Sequence, residues 1–151
     1  MTSTCPEAST SCNCQALRQA ARLVTQLYDA ALAPIGLRTS QYAILSTLRR
    51  PEPWSIQELA NHMVMDRTTL GRTIRPLARD RLLTVLPDPA DRRSRDLALT
   101  PVGWALLDRA GPLWSTAQSQ FEAGFGPRQA AALRGALQSV VATDFPNRPS
   151  S

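Results

Sequence analysis

The sequence predicts a mainly α-helical domain that carries one small β-hairpin. Its 151 residues, 43% of them hydrophobic, are enough for a single domain with a buried core. Apolar residues recur at three- and four-residue steps along most of the chain, which is typical of helices with one buried face. The period changes only after Leu82, where LTVLP and DLALT flank the polar segment DPADRRSR. Two short strand-like segments around such a tip predict a hairpin.

Two helices are expected in the first third of the chain. A tail rich in Ser and Thr over residues 1–13 precedes a first helix, which starts at Cys14 and ends before Pro34. Ser40 is a good N-cap for a second helix, and we expect that helix to run to about Arg50.

Capping residues and breaks locate the other helices. Ser55 begins a short third helix, IQELANHM, and Asp66 begins a fourth that is rich in arginine. Thr100, followed by proline, starts a fifth helix. The segment GFGPR interrupts the helical pattern, and a sixth helix follows from Pro127 to about Phe145. Three helices, a charged helix, a hairpin and two more helices give the layout of a winged helix-turn-helix domain.

Positive charge is concentrated in the middle of the chain. The net charge is +5, and all 17 basic residues are arginines. A basic cluster suits a polyanion, either a nucleic acid or an acidic membrane surface, and a solvated arginine-rich face is the structural alternative. The clustered arginines between residues 67 and 95 are Arg67, Arg72, Arg75, Arg79, Arg81, Arg92, Arg93 and Arg95.

Several classes of protein are disfavoured by what the sequence lacks. No apolar run approaches the roughly 18 residues of a membrane span, and MTSTCPEAST has no basic segment before an apolar one. We therefore expect a cytoplasmic protein. The sequence has no G-x-S-x-G motif, no phosphate loop and no histidine pair, since His62 is the only histidine. We expect no enzyme activity, no cofactor and no metal site.

The fourth helix divides into an apolar side and a basic side. The major groove of DNA admits a helix, and arginine can form two hydrogen bonds with guanine. Because the N-terminal half usually enters the groove, we expect Arg72 and Arg75 to read bases. Pro76 either bends the helix after this half or is tolerated by packing. The two sides are Leu70, Ile74 and Leu77 against Thr68, Arg72, Arg75 and Arg79, and the other residues expected at DNA are Arg67, Thr69 and Gly71.

The hairpin tip combines arginines with aspartates. An arginine on a thin hairpin can enter a narrow minor groove, where the negative potential of DNA is strongest. We expect the acids to orient the arginines by ion pairing. The alternative is a charge-balanced exposed loop. The charged residues of the tip are Arg92, Arg93, Arg95, Asp88, Asp91 and Asp96.

Together these features resemble the MarR family (multiple antibiotic resistance regulators), whose members are dimeric winged-helix transcription factors. The resemblance covers about residues 14–145, which leaves a C-terminal tail over 146–151. It implies a single domain in which a winged helix at about 40–100 joins dimerisation helices at about 14–33 and 101–145. The family signature D-x-R-(x)n-L-T-x-x-G is matched by Asp91, Arg93, Leu99, Thr100 and Gly103.

The resemblance also implies roles for individual residues. Arg93 would lie in the minor groove with Asp91 bracing it. Many relatives have glycine where this chain has Arg81, so either Arg81 accepts a left-handed conformation or the fourth helix ends differently. The residues that would face bases or phosphates are Thr68, Thr69 and Arg72. Those beside phosphates at two helix N-termini, which favour anions, are Ser40, Gln41, Ser55 and Gln57.

The family builds its dimer from the first, fifth and last helices, and this chain has apolar stripes on the first and last of them. A twofold dimer would present two recognition helices about 34 Å apart, matching a pseudo-palindromic operator in double-stranded DNA. Ordinary packing within one chain is the alternative use of the same residues. The candidates for the interface are Leu17, Val24, Leu133, Leu137, Val140 and Val141.

Relatives are usually released from DNA by a ligand or by an oxidant. Cys12 and Cys14 lie at the start of the first helix, where a thiolate is favoured, and they are candidate redox sensors, with Cys5 upstream. Relatives bind small aromatic carboxylates between the dimer helices and the winged domain. Core packing and a tail with incidental cysteines are the structural alternatives. The residues that fit a pocket for such a ligand are Arg22, Tyr28, Tyr42 and Trp104.

The sequence therefore predicts a homodimeric, sequence-specific DNA-binding regulator. We expect a repressor that a small aromatic ligand or cysteine oxidation releases from its operator. The competing hypothesis is a basic protein-interaction or membrane-surface module that has no preference for a particular DNA sequence.

Overall fold

The computed structural model describes residues 12–146, and it confirms a mainly helical fold with a small sheet. The helices of this part are α1 (Asn13–Leu32), α2 (Thr39–Thr47), α3 (Ile56–Met63), α4 (Arg67–Arg79), α5 (Pro101–Phe125) and α6 (Pro127–Ala142), and a 3-10 turn (Ala33–Ile35) follows α1. The strands are β1 (Trp54–Ser55), β2 (Leu83–Pro87) and β3 (Arg95–Leu99). Cys5, most of the predicted N-terminal tail and residues 147–151 lie outside the described residues.

The corner between α1 and α2 differs from the sequence prediction. Ser40 is not the N-cap of α2, because the helix begins one residue earlier, at Thr39. The Asp29 carboxylate of α1 accepts the Thr39 backbone N–H at 2.7 Å, so the free N-terminus of α2 is satisfied from another helix. This hydrogen bond holds the pKa of Asp29 below its usual range. α2 also ends at Thr47 rather than near Arg50, because the chain leaves the helix before it reaches the prolines.

The caps predicted for α3 and α4 are confirmed. Ser55 Oγ accepts the Glu58 backbone N–H at 3.1 Å, and the Glu58 carboxylate accepts the Ser55 N–H at 2.9 Å, which completes a capping box. Asp66 caps α4 with its side chain. The turn between these helices holds Val64 at φ 53°. A left-handed conformation costs a non-glycine residue about 1–2 kcal/mol, and no residue type in the turn signals it.

The sheet is antiparallel, with strand order β1-β3-β2. β2 and β3 form the predicted hairpin, in which Leu83 lies opposite Leu99. The two-residue strand β1 pairs Trp54 with Leu97 at the other edge of β3. The sequence did not predict β1, because a strand of this length is fixed by its tertiary partners rather than by a pattern of its own.

Arg81 and Thr100 form a junction between α4, the hairpin and α5. The φ of Arg81 is 58°, so this residue accepts the left-handed conformation that glycine would adopt without strain. The Thr100 hydroxyl donates to the Arg81 carbonyl at 2.5 Å, and the Thr100 N–H donates to the Leu82 carbonyl at 3.2 Å. Thr100 Oγ1 also accepts the Gly103 N–H at 3.0 Å and so caps α5. The angle between α4 and the hairpin is thereby fixed by α5.

The core lies where the first five helices meet the sheet. Leu70 and Leu77 of α4 are 0% exposed, and Ile74 is 5% exposed. Burying each such side chain contributes about 1.5–3 kcal/mol, which is enough to fix the rotation of α4 about its axis. The buried cluster consists of Leu32, Leu37, Ile44, Leu45, Leu48, Leu59, Ala60, Leu70, Ile74, Leu77, Leu83, Leu97, Leu107 and Ala110.

α5 and α6 extend away from this core. α5 continues for 25 residues across Pro112, and Gly126, at φ 103°, separates it from α6. α6 ends at Ala142 rather than near Phe145. Only Ala130 of α6 is buried. Within residues 12–146, no helix has the length and apolar character that crossing a membrane requires.

Candidate nucleic-acid interface

α4 is packed firmly against the core on one side and presents its basic side to solvent. Thr68, Arg72 and Arg75 are exposed opposite the buried leucines, as the helical period predicts. Neither guanidinium forms an ion pair or a hydrogen bond with any residue in the described part of the chain. Arg79 differs, because its Nε lies 3.5 Å from Asp80 Oδ1, although both side chains are largely exposed. The uncompensated charge therefore lies in the N-terminal and central turns of α4.

The N-terminus of α4 is organised by Asp66 and Thr69. Asp66 Oδ1 accepts the Thr69 backbone N–H at 2.9 Å, and Asp66 Oδ2 accepts the Thr69 hydroxyl. These hydrogen bonds, the one from the hydroxyl first, hold the pKa of Asp66 below its ordinary value, so the group is a carboxylate at neutral pH. Arg67 and Thr68, between them, are exposed, and the side chain of neither residue forms a hydrogen bond within 12–146.

Gly71 and Pro76 are the two residues of α4 that a helix disfavours. A Cβ added at Gly71 would meet no atom within 4 Å, so the packing of the chain does not require glycine there. Because Gly71 has no side chain, another molecule can approach the backbone of α4 closely beside the exposed arginines. α4 continues through Pro76 to Arg79, so the proline does not end the helix.

The wing tip, which we define as residues 88–94, is held by its own aspartates. Asp88 Oδ1 accepts the Ala90 N–H at 2.8 Å, and Asp91 Oδ1 accepts the Arg93 N–H at 2.9 Å. The prediction that the aspartates form ion pairs with the arginines is wrong, because no wing-tip aspartate pairs with an arginine among the described residues. The acids instead accept from backbone N–H groups, the contact that a short side chain reaches in a tight turn. Asp91 therefore braces the backbone rather than the guanidinium.

The three wing arginines have different environments. Arg95 Nη1 donates to the backbone carbonyls of Arg92 and Ser94, both at 3.1 Å. Its guanidinium, predicted to contact DNA, is thus turned back onto the wing tip. The side chains of Arg92 and Arg93 are exposed and form no hydrogen bond within residues 12–146. These two remain available to an external anion.

Three of the four residues predicted beside phosphates already form hydrogen bonds inside the chain. Gln41 and Ser55 serve in helix caps, and Gln57 Nε2 donates to Asn61 Oδ1 at 2.9 Å. Ser40 is exposed. The N-termini of both helices already hold a carboxylate of the chain, and an incoming phosphate would meet that negative charge.

Tyr28 and Tyr42 come together on two sides of Trp114. Their ring centroids lie 6.2 Å and 6.1 Å from that of Trp114. The three rings line a cleft of about 300 Å³ between α1, α2 and α5, to which Thr39 and Ser46 add hydroxyl groups. Burial raises the pKa of both tyrosines, so they are neutral at neutral pH, and the Tyr28 hydroxyl already donates to Gln118 Oε1 at 2.5 Å. The spacing of Trp114 along α5 marked it only as part of an apolar stripe.

Arg22 and Trp104 do not line this cleft. Trp104 lies beneath Arg49, whose Cζ is 5.5 Å from the ring centroid. Arg22 lies near the start of α1 with the two described cysteines. Arg49 is a cation whose charge acts on the hydroxyl of Tyr42, where it opposes the effect of burial on the pKa. The Arg49 guanidinium itself is paired with Asp108 of α5, whose Oδ1 lies 2.7 Å from Arg49 Nη2. Sequence analysis missed Arg49 because these contacts depend on how α2 packs against α5.

Cys12 and Cys14 lie at the exposed N-terminus of α1. The helix begins at Asn13 rather than at Cys14, because Cys12 acts as the N-cap, with its Sγ accepting the Gln15 N–H at 3.5 Å. Within residues 12–146, no three His, Cys, Asp or Glu side chains group as metal ligands. Any arrangement that includes Cys5 falls outside this part of the chain.

α1, α5 and α6 leave an apolar surface open to solvent. Leu17 and Leu137 are 42% and 38% exposed, although they line a cavity of about 420 Å³ between these helices. Packing within one chain therefore does not account for these two leucines. Val24 and Leu133 are half-buried along the same cavity. The other large apolar residues of α6 that are exposed are Val140 and Val141.

Comparisons with known proteins agree on one family. The MarR family model matches residues 37–94, which extend from α2 to the wing tip. The transcriptional activatory protein BadR of Rhodopseudomonas palustris is 34% identical over 97 residues, which cover 60% of this chain and 55% of BadR. The M. tuberculosis transcriptional regulator MosR, in a crystal structure with DNA, is 34% identical, with a TM-score of 0.76 over 89% of this chain and 99% of that one.

A third relative is described together with a small molecule. The structure of BpsR of Bordetella bronchiseptica is reported as a mechanism for regulation of DNA binding by 6-hydroxynicotinic acid. It is 25% identical, with a TM-score of 0.79 over 89% of this chain and 96% of BpsR. The match to BadR spans only about half of that relative, whereas the match to MosR spans nearly all of it. From the matched family model and the likeness to MosR along both chains, it follows that this chain belongs to the MarR family.

Proposed function

We propose that this chain is a homodimeric, sequence-specific DNA-binding transcriptional repressor. The observation that carries the proposal is the division of α4. Its buried leucines fix the helix to the core, while Arg72 and Arg75 extend into solvent and form no ion pair with a described residue, although the charge of Arg72 acts on Asp66. Like charges at this spacing repel by a few tenths of a kcal/mol. A groove lined by phosphates and guanine acceptors would convert that repulsion into attraction.

The wing tip supports the same proposal. Its aspartates hold the backbone and Arg95 holds two carbonyls, so Arg92 and Arg93 extend from a turn that is already ordered. An ordered turn loses little conformational entropy when an arginine enters a minor groove. The structure of MosR with DNA is described for a protein similar to this chain over its matched length, which also favours DNA over an acidic membrane.

A dimer is the assembly that the exposed apolar surface supports. Two copies joined through α1, α5 and α6 would bury Leu17 and Leu137, and twofold symmetry would present two α4 helices to a pseudo-palindromic site. Linking two DNA-contacting units in this way raises affinity by about 10²–10⁴-fold over one unit. The proposed partner of each chain is therefore a second copy.

Replacing Arg72 or Arg93 by alanine tests the interface directly. The probe is the duplex that the wild-type chain enriches from a randomised pool, and binding is measured by gel-shift titration at fixed salt. We expect each substitution to weaken binding by about 1–3 kcal/mol without unfolding the chain. Arg128→Ala removes the same charge from the exposed N-terminus of α6, and it should bind like the wild type.

Two outcomes would count against the proposal in different ways. Wild-type affinity in both variants would mean that these arginines are not at the interface. Equal binding of the wild type to the enriched duplex and to scrambled DNA would favour the alternative of a basic interaction module without sequence preference.

For control of the repressor we propose a small aromatic carboxylate in the cleft beside Trp114. Tyr42 and Trp114 are stacked with an interplanar angle of 21°, and flat walls of this kind suit an aromatic ring. Arg49, whose charge acts on Tyr42, supplies a neighbouring cation in place of Arg22. A ligand carboxylate would compete with Asp108 for it, since Asp108 Oδ1 lies 2.7 Å from Arg49 Nη2. The description of BpsR with 6-hydroxynicotinic acid supports this class of ligand.

Oxidation of Cys12 and Cys14 is the second candidate for control. Both thiols are exposed, and Cys12 Sγ accepts an N–H at the N-terminus of α1, so an oxidant can reach both sulfur atoms. Two thiols and one peroxide would yield one disulfide and two waters. The disulfide would change the first turn of α1, one of the helices proposed for the dimer.

One set of variants separates these two mechanisms. We expect millimolar 6-hydroxynicotinate or salicylate to release the enriched duplex from the wild type and from a variant with all three cysteines replaced by serine. Trp114→Ala should lose this response because it removes the central wall of the cleft. Release by peroxide that persists in the cysteine-free variant would rule out control by thiol oxidation. No release by any acid would rule out the proposed ligand class.

A further inference from the structure

The two adjacent threonines of α4 do not present the same chemistry. Thr69 donates its hydroxyl proton to Asp66 Oδ2 and its backbone N–H to Asp66 Oδ1. Thr68 is exposed as well, but its hydroxyl forms no hydrogen bond with a described residue. Thr68 can therefore donate a proton to an incoming group, whereas the proton of Thr69 is already used.

With its proton engaged, Thr69 has a methyl group and oxygen lone pairs left to offer. Asp66 adds a carboxylate, which only accepts hydrogen bonds. Because hydrogen bonding keeps the pKa of Asp66 low, the carboxylate persists at neutral pH. The pair thus forms a surface at the N-terminal end of α4 that accepts hydrogen bonds, carries the Asp66 charge within the field of Arg72, and offers one methyl group.

This surface does not suit phosphate. A phosphate beside Thr69 would lie near the Asp66 carboxylate, and like charges within a few ångströms repel unless a cation intervenes. The surface is equally unsuited to guanine, which presents two acceptors, O6 and N7, in the major groove. Cytosine presents an N4–H donor that a carboxylate can accept, and thymine presents one acceptor, O4, beside its C5-methyl group. Only thymine offers a methyl group, for which the methyl group of threonine is a recognised apolar partner.

We propose that Thr69 reads a thymine through methyl–methyl contact, and that Asp66 makes this position reject guanine by holding the Thr69 hydroxyl proton. The inference rests on the proposed function, because it needs α4 in the major groove. It adds a base identity to one position of each half-site. It also gives different roles to two adjacent threonines that the sequence pattern does not distinguish. Thr69 contacts a base, and Thr68 remains the donor toward phosphate.

The test uses the full chain and the duplex that the wild type enriches from a randomised pool. Each thymine of that duplex is replaced in turn by deoxyuridine, which removes only the C5-methyl group. We expect one symmetry-related pair of positions at which the wild type loses about fourfold in affinity per methyl contact. Thr69→Ser should lose this sensitivity, because serine keeps the hydroxyl and lacks the methyl group. Thr68→Ser, the matched control, should keep it.

Asp66→Asn tests the role of the hydroxyl proton. Asparagine is as good an N-cap as aspartate, so α4 should remain folded. Its amide can donate to Thr69 Oγ1, which frees the threonine proton for a base acceptor. We expect Asp66→Asn to bind a duplex with guanine at this position about tenfold better, relative to thymine, than the wild type does.

The outcomes distinguish this inference from the proposed function. A wild-type chain that enriches no duplex overturns both. Enrichment without any uracil-sensitive position, or with sensitivity that Thr69→Ser retains, overturns the assignment of Thr69 alone. Unchanged discrimination against guanine in Asp66→Asn overturns the role of Asp66. Thermal unfolding of each variant near the wild-type temperature is required for these results to count as changes in base reading.

Discussion

Replacing Gly103 by alanine is expected to destabilise the domain by about 3 kcal/mol, the upper part of the range for overpacking. A Cβ at this position would lie 2.0 Å from the carbonyl oxygen of Leu82 and 3.2 Å from a methyl group of Leu99. The oxygen cannot move freely, because it accepts the Thr100 N–H at the junction of three elements. Relief of the clash would therefore displace either β2 or the start of α5.

Urea denaturation at fixed protein concentration measures this effect as a fall in the midpoint at constant slope. Gly111→Ala is the matched control, because it changes the same residue type in the same helix where a Cβ would meet no atom within 4 Å. The control should stabilise the chain by up to about 1 kcal/mol. A Gly103→Ala variant as stable as the wild type would show that the contact with Leu82 is not a real constraint.

The helix caps show which part of this fold could be predicted from the sequence. The cap residues Ser55, Asp66 and Thr100 each lie three residues before the N–H they satisfy, so cap and helix start are adjacent in the sequence. The cap of α2 could not be predicted in this way. Its acceptor, Asp29, lies ten residues before Thr39 on another helix, and only the packing of α1 against α2 brings it there.

The candidate site follows the same division between local and tertiary information. The helical period alone separates the buried and exposed sides of α4. It does not show that Arg95 is turned back onto two carbonyls, because that depends on the direction of the wing-tip backbone. It also does not show that Trp114, rather than Trp104, lies between the two tyrosines. Contacts between elements determine both.

Replacing Leu137 by aspartate is expected to convert the proposed dimer into a monomer. Leu137 lines the apolar cavity beside Leu17 and Leu133, and 38% of it is exposed in the single chain. Twofold symmetry would place two such residues in one interface, so the substitution buries two carboxylates at once. Removing each from water without a partner costs several kcal/mol, which exceeds what a surface of this kind contributes per residue.

Sedimentation or light scattering at micromolar concentration measures the assembly, and we expect DNA affinity to fall by at least about 100-fold because the two half-sites are no longer linked. Ser139→Asp is the matched control. Ser139 is exposed and lies on roughly the opposite side of α6 from Leu137. It carries the same charge near the same helix end, so any effect of aspartate on the helix dipole is shared by both variants.

A Leu137→Asp variant that remains a dimer would exclude this surface as the interface. If the variant is monomeric but retains wild-type affinity for the enriched duplex, one chain is sufficient for recognition, and the proposed twofold reading of the operator is wrong. Helical content must be measured in parallel, because chains that fold only as dimers lose structure when they separate. Loss of helix that higher protein concentration restores would mean that folding and assembly are coupled, with the apolar surface of α1, α5 and α6 completed by the second copy.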